Sequence, residues 1–254
     1  MRILVTGGAG FIGSHLVRRL IQSGRHAVVN LDALKYSGNL ENLADLADHP
    51  QYRFVHADIG DQQAVHATLQ EHRIEGIINC AAETHVDRSI LDPGAFARTD
   101  VVGTGILLEE ARMAGVQRFL QVSTDEVYGA IPAPQRSKEG DPLEPRSPYS
   151  ASKAGAEHLV YAYYVTYGLP VTTTRGSNNI GPYHYPEKAL PLFITNAIDD
   201  LPLPLYGDGM QVRDWLHVRD HARGVDVALT KGTVGEAYNV GGENEQHNID
   251  VIRM

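Results

Sequence analysis

The stretch TGGAGFIG, from Thr6 to Gly13, decides the fold of this 254-residue chain. It holds both a G-x-G-x-x-G and a G-x-x-G-x-x-G spacing that end at Gly13. It stands between the apolar run RILVT (2–6) and a segment, 11–21, whose apolar residues recur at helical spacing. Glycines at such a turn allow a tight bend and close approach of the backbone to a pyrophosphate at the helix N-terminus. The stretch therefore predicts a dinucleotide site.

An acidic residue indicates which dinucleotide is bound. The run AVVNLD (27–32) predicts a second strand, and Asp32 ends it nineteen residues after Gly13. A carboxylate there accepts a hydrogen bond from the 2′-hydroxyl of the adenosine ribose and repels a 2′-phosphate. NAD is therefore predicted rather than NADP. The alternative is a glycine turn that only packs a helix, with an aspartate that only caps.

Short apolar runs alternate with helical segments through the first half of the chain. The predicted strands are 2–6, 27–32, 52–58, 76–82, 118–123 and 170–175. The predicted helices are 11–21, 61–72, 95–114 and 149–167. This alternation indicates βαβ units and a parallel sheet covered by helices on both faces. We predict an α/β fold with a doubly wound parallel Rossmann-type sheet.

The alternation weakens after residue 175. The later predicted elements are helices at 189–199 and 218–230 and strands near 203–206, 212–216 and 236–242. We predict an NAD-binding domain at 1–175, on which parts of 205–240 pack back, and a smaller, interleaved substrate-binding lobe at 176–254. The chain ends in NIDVIRM, which resembles the first turns of a helix. We expect the lobe to be truncated and the chain to be part of a longer protein.

Composition excludes several classes of protein. A net charge of −9 argues against nucleic acid as the main partner. The single cysteine, Cys80, excludes a disulfide within the chain. No apolar run approaches the ~20 residues that span a bilayer, and the N-terminus enters a strand directly without a signal peptide. HVRDH places His217 and His221 four apart but lacks the glutamate of a zinc-protease helix. We predict a cytoplasmic protein without metal, nucleic-acid or membrane partners.

Two further stretches carry side chains typical of catalysis. STDEVYG (123–129) places Asp125 and Glu126 where a buried strand ends, and burying ionised carboxylates is costly unless they are paired, hydrogen-bonded or used. SPYSASKAGAEH places Tyr149 and Lys153 four apart on one helix face. A lysine ammonium lowers the pKa of a nearby phenol, which can then take a proton from an alcohol while a nicotinamide takes the hydride. Taken alone, Y-x-x-x-K also occurs by chance as an exposed helix pair.

These motifs together resemble the extended short-chain dehydrogenase/reductase superfamily. Five longer stretches are similar to the dTDP-glucose 4,6-dehydratase family within it: STDEVYG, AAETHVDRS, SPYSASKAGAEHLV, SNNIGPYHYPEK and YGDGMQVRDWLHVRDHARG. The similarity runs from the first residue to the last, and members of that family continue for several dozen residues more. The resemblance implies conversion of a nucleotide-diphosphate glucose, with NAD regenerated, into its 4-keto-6-deoxy form.

The resemblance also implies a catalytic role for five residues. Tyr149 would take the proton of the C4 hydroxyl, supported by Thr124 and Lys153. Glu126 would remove the C5 proton, and Asp125 would protonate the departing C6 hydroxyl. Two close carboxyl groups titrate apart, so one can be an acid while the other is a base. A solvated Asp-Glu turn is the alternative.

The binding residues follow from the same resemblance. It implies cofactor contacts by Gly7, Gly10, Phe11, Ile12, Gly13, Asp32, Lys35, Asp58, Ile59, Ala81, Ala82, Thr99, Tyr149, Lys153 and Asn179. It implies substrate contacts by Thr84, Thr124, Asn178, Lys188, Arg213 and Asn248, with the charges of Lys188 and Arg213 on the diphosphate.

Three positions depart from the family pattern. Asp100 stands where relatives usually have Asn, His217 stands where they have Tyr, and Arg219 stands where an acidic residue is common. Superfamily members usually form homodimers through paired helices, here 95–114 and 149–167. Three alternatives stay open: the same chemistry on UDP-glucose, a nucleotide-sugar epimerase, and a non-catalytic NAD-binding protein.

Overall fold

A parallel sheet of seven strands forms the centre of the protein, whose computed structural model describes residues 1–132 and 134–254. The strands in chain order are β1 (Arg2–Thr6), β2 (Ala27–Asp32), β3 (Tyr52–His56), β4 (Gly76–Asn79), β5 (Arg118–Thr124), β6 (Val171–Gly176), β7 (Asn178–Ile180), β8 (Val212–His217), β9 (Ala237–Val240) and β10 (Glu245–His247). The main sheet has the order β3-β2-β1-β4-β5-β6-β9, with every pair parallel. The strand order reverses between β1 and β4, which opens a crevice at the carboxyl ends of these strands.

Helices cover both faces of this sheet. They are α1 (Phe11–Gln22), α2 (Gln62–Glu71), α3 (Val86–Leu91), α4 (Pro93–Phe96), α5 (Thr104–Met113), α6 (Pro148–Tyr167), α7 (Ala189–Ile198), α8 (Val218–Lys231) and α9 (Asn248–Arg253). Three tighter or wider helical segments join them: 3-10 segments at Leu40–Leu46 and Asp125–Tyr128, and a π-helical segment at Ala97–Gly103. Across the described ranges, no helix combines the length and apolar character needed to cross a bilayer.

The apolar strands are explained by the two cores that they separate. In β1, Ile3 and Val5 belong to the core that includes side chains of α1 and α8, while Leu4 between them belongs to the core formed with α2, α5 and α6. Side chains of a strand alternate between faces, so a strand buried on both sides must be apolar throughout. The predicted doubly wound parallel sheet is confirmed.

A second, three-stranded sheet lies beyond β6. In it β8 pairs in parallel with β7 and antiparallel with β10. The chain then returns to the main sheet, because β9 pairs with β6 to form the edge of that sheet and α8 packs against α1. The division into domains at residue 175 stays a prediction.

Some predicted elements differ from the structure. The predicted strand near 203–206 is wrong: these residues have no regular structure, and Pro204 lacks the N–H that a strand needs. The predicted strands 52–58 and 76–82 end earlier, at His56 and Asn79, because their pairing with β2 and β1 stops there. The predicted helix 95–114 contains the π-helical segment, which the apolar spacing did not indicate.

Candidate active site

The glycine turn brings backbone unusually close to backbone. Gly7 has φ +66°, a conformation that glycine adopts without strain, and a Cβ there would lie 2.8 Å from the Cα and N of Ala81. A Cβ on Gly13 would collide with the carbonyl oxygen of Gly7. Among the described residues no side chain caps the N-terminus of α1, and its first turn carries no acid. Its N–H groups can therefore receive an anionic ligand.

Asp32 is fixed beside this turn. Its carboxylate is buried and accepts hydrogen bonds from the N–H of Ala9 at 2.9 Å and of Leu34 at 2.8 Å. Burial raises the pKa of Asp32, while these two hydrogen bonds lower it. The side chain is thus held in one position at the end of β2.

Lys35 links three loops at the same edge of the sheet. Its Nζ lies 3.2 Å from Oδ2 of Asp58, 3.0 Å from Oε1 of Glu83 and 3.3 Å from Oγ1 of Thr99. Burial lowers the pKa of Lys35, but Glu83 and Asp58 outweigh it, and the net shift is upward. The lysine therefore stays charged between the loops that follow β2, β3 and β4.

The two adjacent carboxylates begin the 3-10 segment at the end of β5. The hydroxyl of Thr124 accepts a hydrogen bond from the N–H of Glu126 and lies 3.3 Å from Oδ1 of Asp125. Burial, and then the neighbouring Glu126, raise the pKa of Asp125 to about 6. Burial also raises the pKa of Glu126, but the charges of Arg213 and Lys188 oppose this. The largest effect of a neighbouring charge thus raises the pKa of Asp125 and lowers that of Glu126.

Tyr149 and Lys153 lie in the first turns of α6. Ser147 caps this helix in a reciprocal capping box with Ser150, and Pro148 occupies its first position. Lys153 is buried, and its Nζ donates a hydrogen bond to the carbonyl oxygen of Val122 at 2.8 Å. The helix start thus places both side chains at the carboxyl end of β5.

The electrostatics of Tyr149 differ from the prediction. Burial raises its pKa, and the carboxylates of Glu126 and Asp100 raise it further, while the Thr124 hydroxyl lowers it. The prediction that Lys153 gives Tyr149 a lowered pKa is wrong, because the net shift is upward. Three acidic groups from other elements act in the opposite direction, and their proximity cannot be read from the spacing of Tyr149 and Lys153.

One cavity of about 340 Å³ brings most of the predicted residues together. All fifteen residues predicted to contact the cofactor line it, and so do all five predicted catalytic residues. Thr84, Asn178 and Lys188 also line it, whereas Arg213 and Asn248 are outside its lining as the structure describes it. Arg213 still acts on both carboxyl groups by its charge. Asn248 begins α9, where its N–H donates to the carbonyl oxygen of Gln211.

The cavity also has lining residues that sequence reasoning missed, among them Glu83, Ser177, Glu187, Trp215 and His221. His221 is buried against Gly176, since a Cβ on this glycine would lie only 2.7 Å from Nε2 of His221. Burial lowers the pKa of His221 to about 4. All five lie in the stretches that carry the family resemblance, which was the available signal. Within the described ranges, no three His, Cys, Asp or Glu side chains are grouped to hold a metal ion.

Residues 182–187, here called the covering loop, lie over the glycine turn. The ring of His184 stacks on Phe11 with centroids 4.2 Å apart. Glu187 pairs with Arg88 at 3.2 Å, and the Arg88 guanidinium lies 3.7 Å from the centre of the Tyr36 ring. These contacts connect the covering loop with α1, α3 and the loop after β2.

The donors and acceptors of the cavity fit a dinucleotide. The open N-terminus of α1 suits a pyrophosphate and Asp32 suits a ribose hydroxyl. Seven buried polar atoms of the lining have no hydrogen-bond partner among the described residues: Ser123 Oγ, Ser177 Oγ, Asn179 Oδ1, Glu187 Oε1, Trp215 Nε1 and the two ring nitrogens of His221. Such atoms normally have partners, so a polar ligand group or water must satisfy them.

Comparisons with known proteins agree with this site. A family model described as GDP-mannose 4,6 dehydratase matches residues 4–254. The dTDP-glucose 4,6-dehydratase of Neisseria meningitidis serogroup B is 52% identical over 262 aligned positions, which cover 99% of this chain and 74% of that protein. A crystal structure of dTDP-glucose 4,6-dehydratase from Streptomyces venezuelae with NAD bound has 50% identity and a TM-score of 0.96, and the match covers 100% of this chain and 79% of that one.

An enzyme of different activity is similar in fold at lower identity. The UDP-glucose 4-epimerase of Thermus thermophilus, also solved with NAD, has 34% identity and a TM-score of 0.92 over 100% of this chain and 81% of its own. Backbone similarity alone therefore does not separate the two activities, and the identity to this chain is higher for the dehydratase. The chain belongs to the dTDP-glucose 4,6-dehydratase family of the extended short-chain dehydrogenase/reductase superfamily.

Proposed function

We propose that this protein converts dTDP-glucose into dTDP-4-keto-6-deoxyglucose by oxidation at C4, elimination of water across C5 and C6, and return of the hydride to C6. It is then a hydro-lyase that uses NAD and leaves it unchanged after each turnover. The observation that carries the proposal is the Asp125–Glu126 pair, which lines the same cavity as Tyr149 and Lys153. The relatives described above with 52% and 50% identity to this chain are dTDP-glucose 4,6-dehydratases.

The fifteen residues predicted for the cofactor would hold NAD along the crevice. Bound NAD would supply the hydride acceptor and donor. The turn at Gly7 and Gly13 leaves room for the pyrophosphate, Asp32 would accept from the ribose hydroxyl, and Lys35 and Asp58 would border the adenine. The covering loop would limit release of the cofactor during turnover.

Tyr149 would take the proton from the C4 hydroxyl of the sugar. Its phenol lies near Thr124, whose hydroxyl lowers its pKa, and a positively charged nicotinamide would act in the same direction. Lys153, held by the carbonyl oxygen of Val122, supplies a fixed positive charge next to this site. Once ionised, Tyr149 could accept the proton of the C4 hydroxyl during the oxidation.

Glu126 and Asp125 would divide the elimination between them. Glu126 faces the positive charges of Arg213 and Lys188, which favour its ionised form, so it is suited to remove the C5 proton. Burial and the neighbouring Glu126 raise the pKa of Asp125 to about 6, so it is suited to protonate the C6 hydroxyl. The largest effect of a neighbouring charge thus raises the pKa of the proposed acid and lowers that of the proposed base.

The substrate would occupy the part of the cavity between these residues and the second sheet. Thr84 and Asn178 would contact the sugar, and Lys188 and Arg213 the diphosphate. Asn248 would contact the nucleotide. UDP-glucose remains the alternative substrate, because these contacts do not read the base.

The acid pair also favours a dehydratase over the other candidates. An epimerase moves a hydride at C4 and needs no separate acid and base for a loss of water. A non-catalytic NAD-binding protein would not require a buried lysine beside a cavity tyrosine and two carboxyl groups of raised pKa. We therefore rank both below the dehydratase.

Incubation with dTDP-glucose and, separately, UDP-glucose tests the proposal. We expect a 4-keto-6-deoxy product by NMR, with faster turnover of dTDP-glucose. The Asp125→Asn/Glu126→Gln double variant is the control for chemistry that does not use the pair. An interconversion of glucose and galactose nucleotides without loss of water would identify an epimerase, and no reaction with either sugar would favour the non-catalytic alternative.

Three further assignments belong to the same proposal. Residues 1–175 would form the NAD-binding domain, with parts of 205–240 packed on it, and 176–254 the substrate lobe. The protein would act in the cytoplasm as a homodimer through α5 and α6, where Met113, Tyr161 and Val165 are exposed. Light scattering of the wild type and of Tyr161→Glu tests the dimer, since a charge at that interface should yield a monomer.

A further inference from the structure

Asp100 is a buried carboxylate that the proposed reaction does not yet use. It lies in the π-helical segment and is 1% exposed. Its Oδ1 accepts a hydrogen bond from the N–H of Glu83 at 2.9 Å, and the hydroxyl of Ser152 donates to its Oδ2 at 2.5 Å. The single-turn π bulges that interrupt α-helices are frequent at functional sites.

These contacts place Asp100 between the two halves of the site. Glu83 belongs to the loop after β4 that holds Lys35, and Ser152 is the residue before Lys153 in α6. The Ser152 hydroxyl also lies 2.8 Å from the carbonyl oxygen of Tyr149. Asp100 therefore contacts the backbone of one loop and the first turns of the helix that carries Tyr149 and Lys153.

A buried carboxylate of this kind needs a compensating charge. Burial raises the pKa of Asp100, and the net shift is upward, although the Lys153 ammonium and the hydrogen bonds from Ser152 and the N–H of Glu83 lower it. Both oxygens accept hydrogen bonds, as an ionised carboxylate does. The lysine and these hydrogen bonds therefore favour the ionised form against the effect of burial.

We propose that Asp100 is a positioning residue of this reaction that acts through its negative charge: it orients α6 against the loop after β4 and controls proton transfer at Tyr149 by charge rather than by shape. This inference rests on the proposed function, in which Tyr149 is the base. In that role, an ionised Asp100 opposes loss of the phenol proton, because two like charges close together are unfavourable.

Several other groups also face Tyr149 or Asp100, from every element packed around the site. They are Asp125 and Glu126 from the 3-10 segment, Lys153 from α6 and Glu83 from the loop after β4. The charged residues of other neighbouring elements are engaged elsewhere: Arg175 of β6 with Glu157, Arg88 of α3 with Glu187, and Arg112 of α5 with Glu109. Asp100 can be altered without touching Asp125 and Glu126, the proposed acid and base of the elimination.

The Asp100→Asn variant separates charge from shape. The amide oxygen can still accept from Glu83, and the amide nitrogen can donate to the oxygen of Ser152. In single turnovers with dTDP-glucose, we expect the rate of nicotinamide reduction to rise with pH as Tyr149 loses its proton. The midpoint of that rise should move to lower pH by about one unit in the variant.

The matched control removes the same charge elsewhere. Glu71 is exposed at the C-terminus of α2, at the opposite edge of the sheet from the site. Glu71→Gln should leave the midpoint unchanged. Ser152→Ala keeps the carboxyl group of Asp100 but removes a hydrogen bond that stabilises its ionised form. It should therefore shift the midpoint in the same direction as Asp100→Asn, by a smaller amount.

A second measurement needs no substrate. The carboxyl carbon of Asp100, assigned by comparison with Asp100→Asn, should show an ionised group in NMR at the pH of the turnover experiments, and it should titrate at a higher pH in Ser152→Ala than in the wild type. An Asp100 that stays protonated throughout the pH range of those experiments overturns the inference, and so does an unmoved midpoint in Asp100→Asn. A different outcome would count against the proposed function and not against the ionisation of Asp100. In that case Asp100 titrates as expected, but the wild type reduces no nicotinamide with either nucleotide sugar, so the role of Asp100 in the reaction is refuted together with the proposed function.

Discussion

The carboxylate of Asp32 accepts a hydrogen bond from the N–H of Ala9 at 2.9 Å, so the end of β2 is joined directly to the glycine turn. The N–H of Leu34 donates to the other carboxylate oxygen, and a Cβ on Gly38 would lie 2.8 Å from it. The acid is thus fixed in a narrow space. Its charge faces the position where the ribose of a dinucleotide would lie.

We expect this acid to determine cofactor choice. The wild-type apoprotein should bind NAD more tightly than NADP, because the carboxylate repels a 2′-phosphate. In Asp32→Asn the affinity for NAD should fall about tenfold or more, while that for NADP rises. Titration of the apoprotein with each cofactor measures both. Asp58 is a nearby acid paired with Lys35, and Asp58→Asn should leave the ratio of the NAD and NADP affinities unchanged. Tighter binding of NADP than of NAD by the wild type would contradict the prediction.

The role of Tyr149 as base predicts the result of its substitution. Tyr149→Phe keeps the ring that packs edge-on against Phe96, so the fold should persist. Reduction of bound nicotinamide on addition of dTDP-glucose should slow by about 10²–10⁴-fold. The control is Tyr161→Phe on the exposed face of the same helix, which should react like the wild type. Native-rate reduction by Tyr149→Phe would exclude this tyrosine as the base.

The adjacent carboxyl groups should separate oxidation from elimination. Asp125→Asn and Glu126→Gln are nearly isosteric, and neither residue acts in the C4 oxidation, so nicotinamide reduction should still be observed. Without Glu126 the C5 proton should exchange slowly, and without Asp125 the C6 hydroxyl should leave slowly, each by about 10²–10⁴-fold.

Single turnovers in D₂O follow both steps, by the absorbance of the reduced nicotinamide and by deuterium at C5. Glu144→Gln, in an exposed loop, is the matched control. Native rates of water loss in both variants would make the pair structural. Loss of the oxidation step in both would mean that they position the sugar.

The pKa of Asp125 predicts the pH dependence of the elimination. The acid form is the active one, so the step should be fastest below the pKa of about 6 and slow as the pH rises through it. Because exclusion of water by a bound substrate would raise this pKa further, the decline should begin at or above that value. Asp125→Asn should lose this decline. Rapid quench at a series of pH values measures it, and an elimination rate that increases across the same range would reverse the assignment of acid and base.

A buried ion pair behind the acid pair should contribute to stability. Arg175 lies 2.7 Å from Oε2 of Glu157 and also donates to the hydroxyl of Tyr128, the last residue of the segment that begins with Asp125. Arg175→Met leaves the Glu157 carboxylate buried without a partner, which typically costs about 3–5 kcal/mol of the free energy of unfolding.

Urea unfolding measures this loss, and the Arg175→Met/Glu157→Leu double variant should regain most of it. Elimination should also slow in Arg175→Met, because Tyr128 loses the contact that holds the catalytic segment. Arg112→Met breaks an exposed pair with Glu109 and should leave stability unchanged. Equal effects of Arg175→Met and Arg112→Met would refute the argument.

The sequence alone determined the features that depend on neighbouring residues. The glycine turn, the strand that ends in Asp32, and the helix start before Tyr149 are each contained in a short run of consecutive residues. Their backbone conformation follows from local sterics, capping and the alternation of apolar side chains. The sheet could therefore be predicted, and with it the edge at which the carboxyl ends of the parallel strands assemble a site.

Only the tertiary structure decided the features that depend on residues remote in the chain. It placed Asp100 and Glu126 close enough to raise the pKa of Tyr149, brought His221 into the cavity wall and left Asn248 outside it. It also left 203–206 without a strand. Burial and Coulomb interactions depend on distances between packed elements, and a spacing within one helix, such as that of Tyr149 and Lys153, carries no information about those distances.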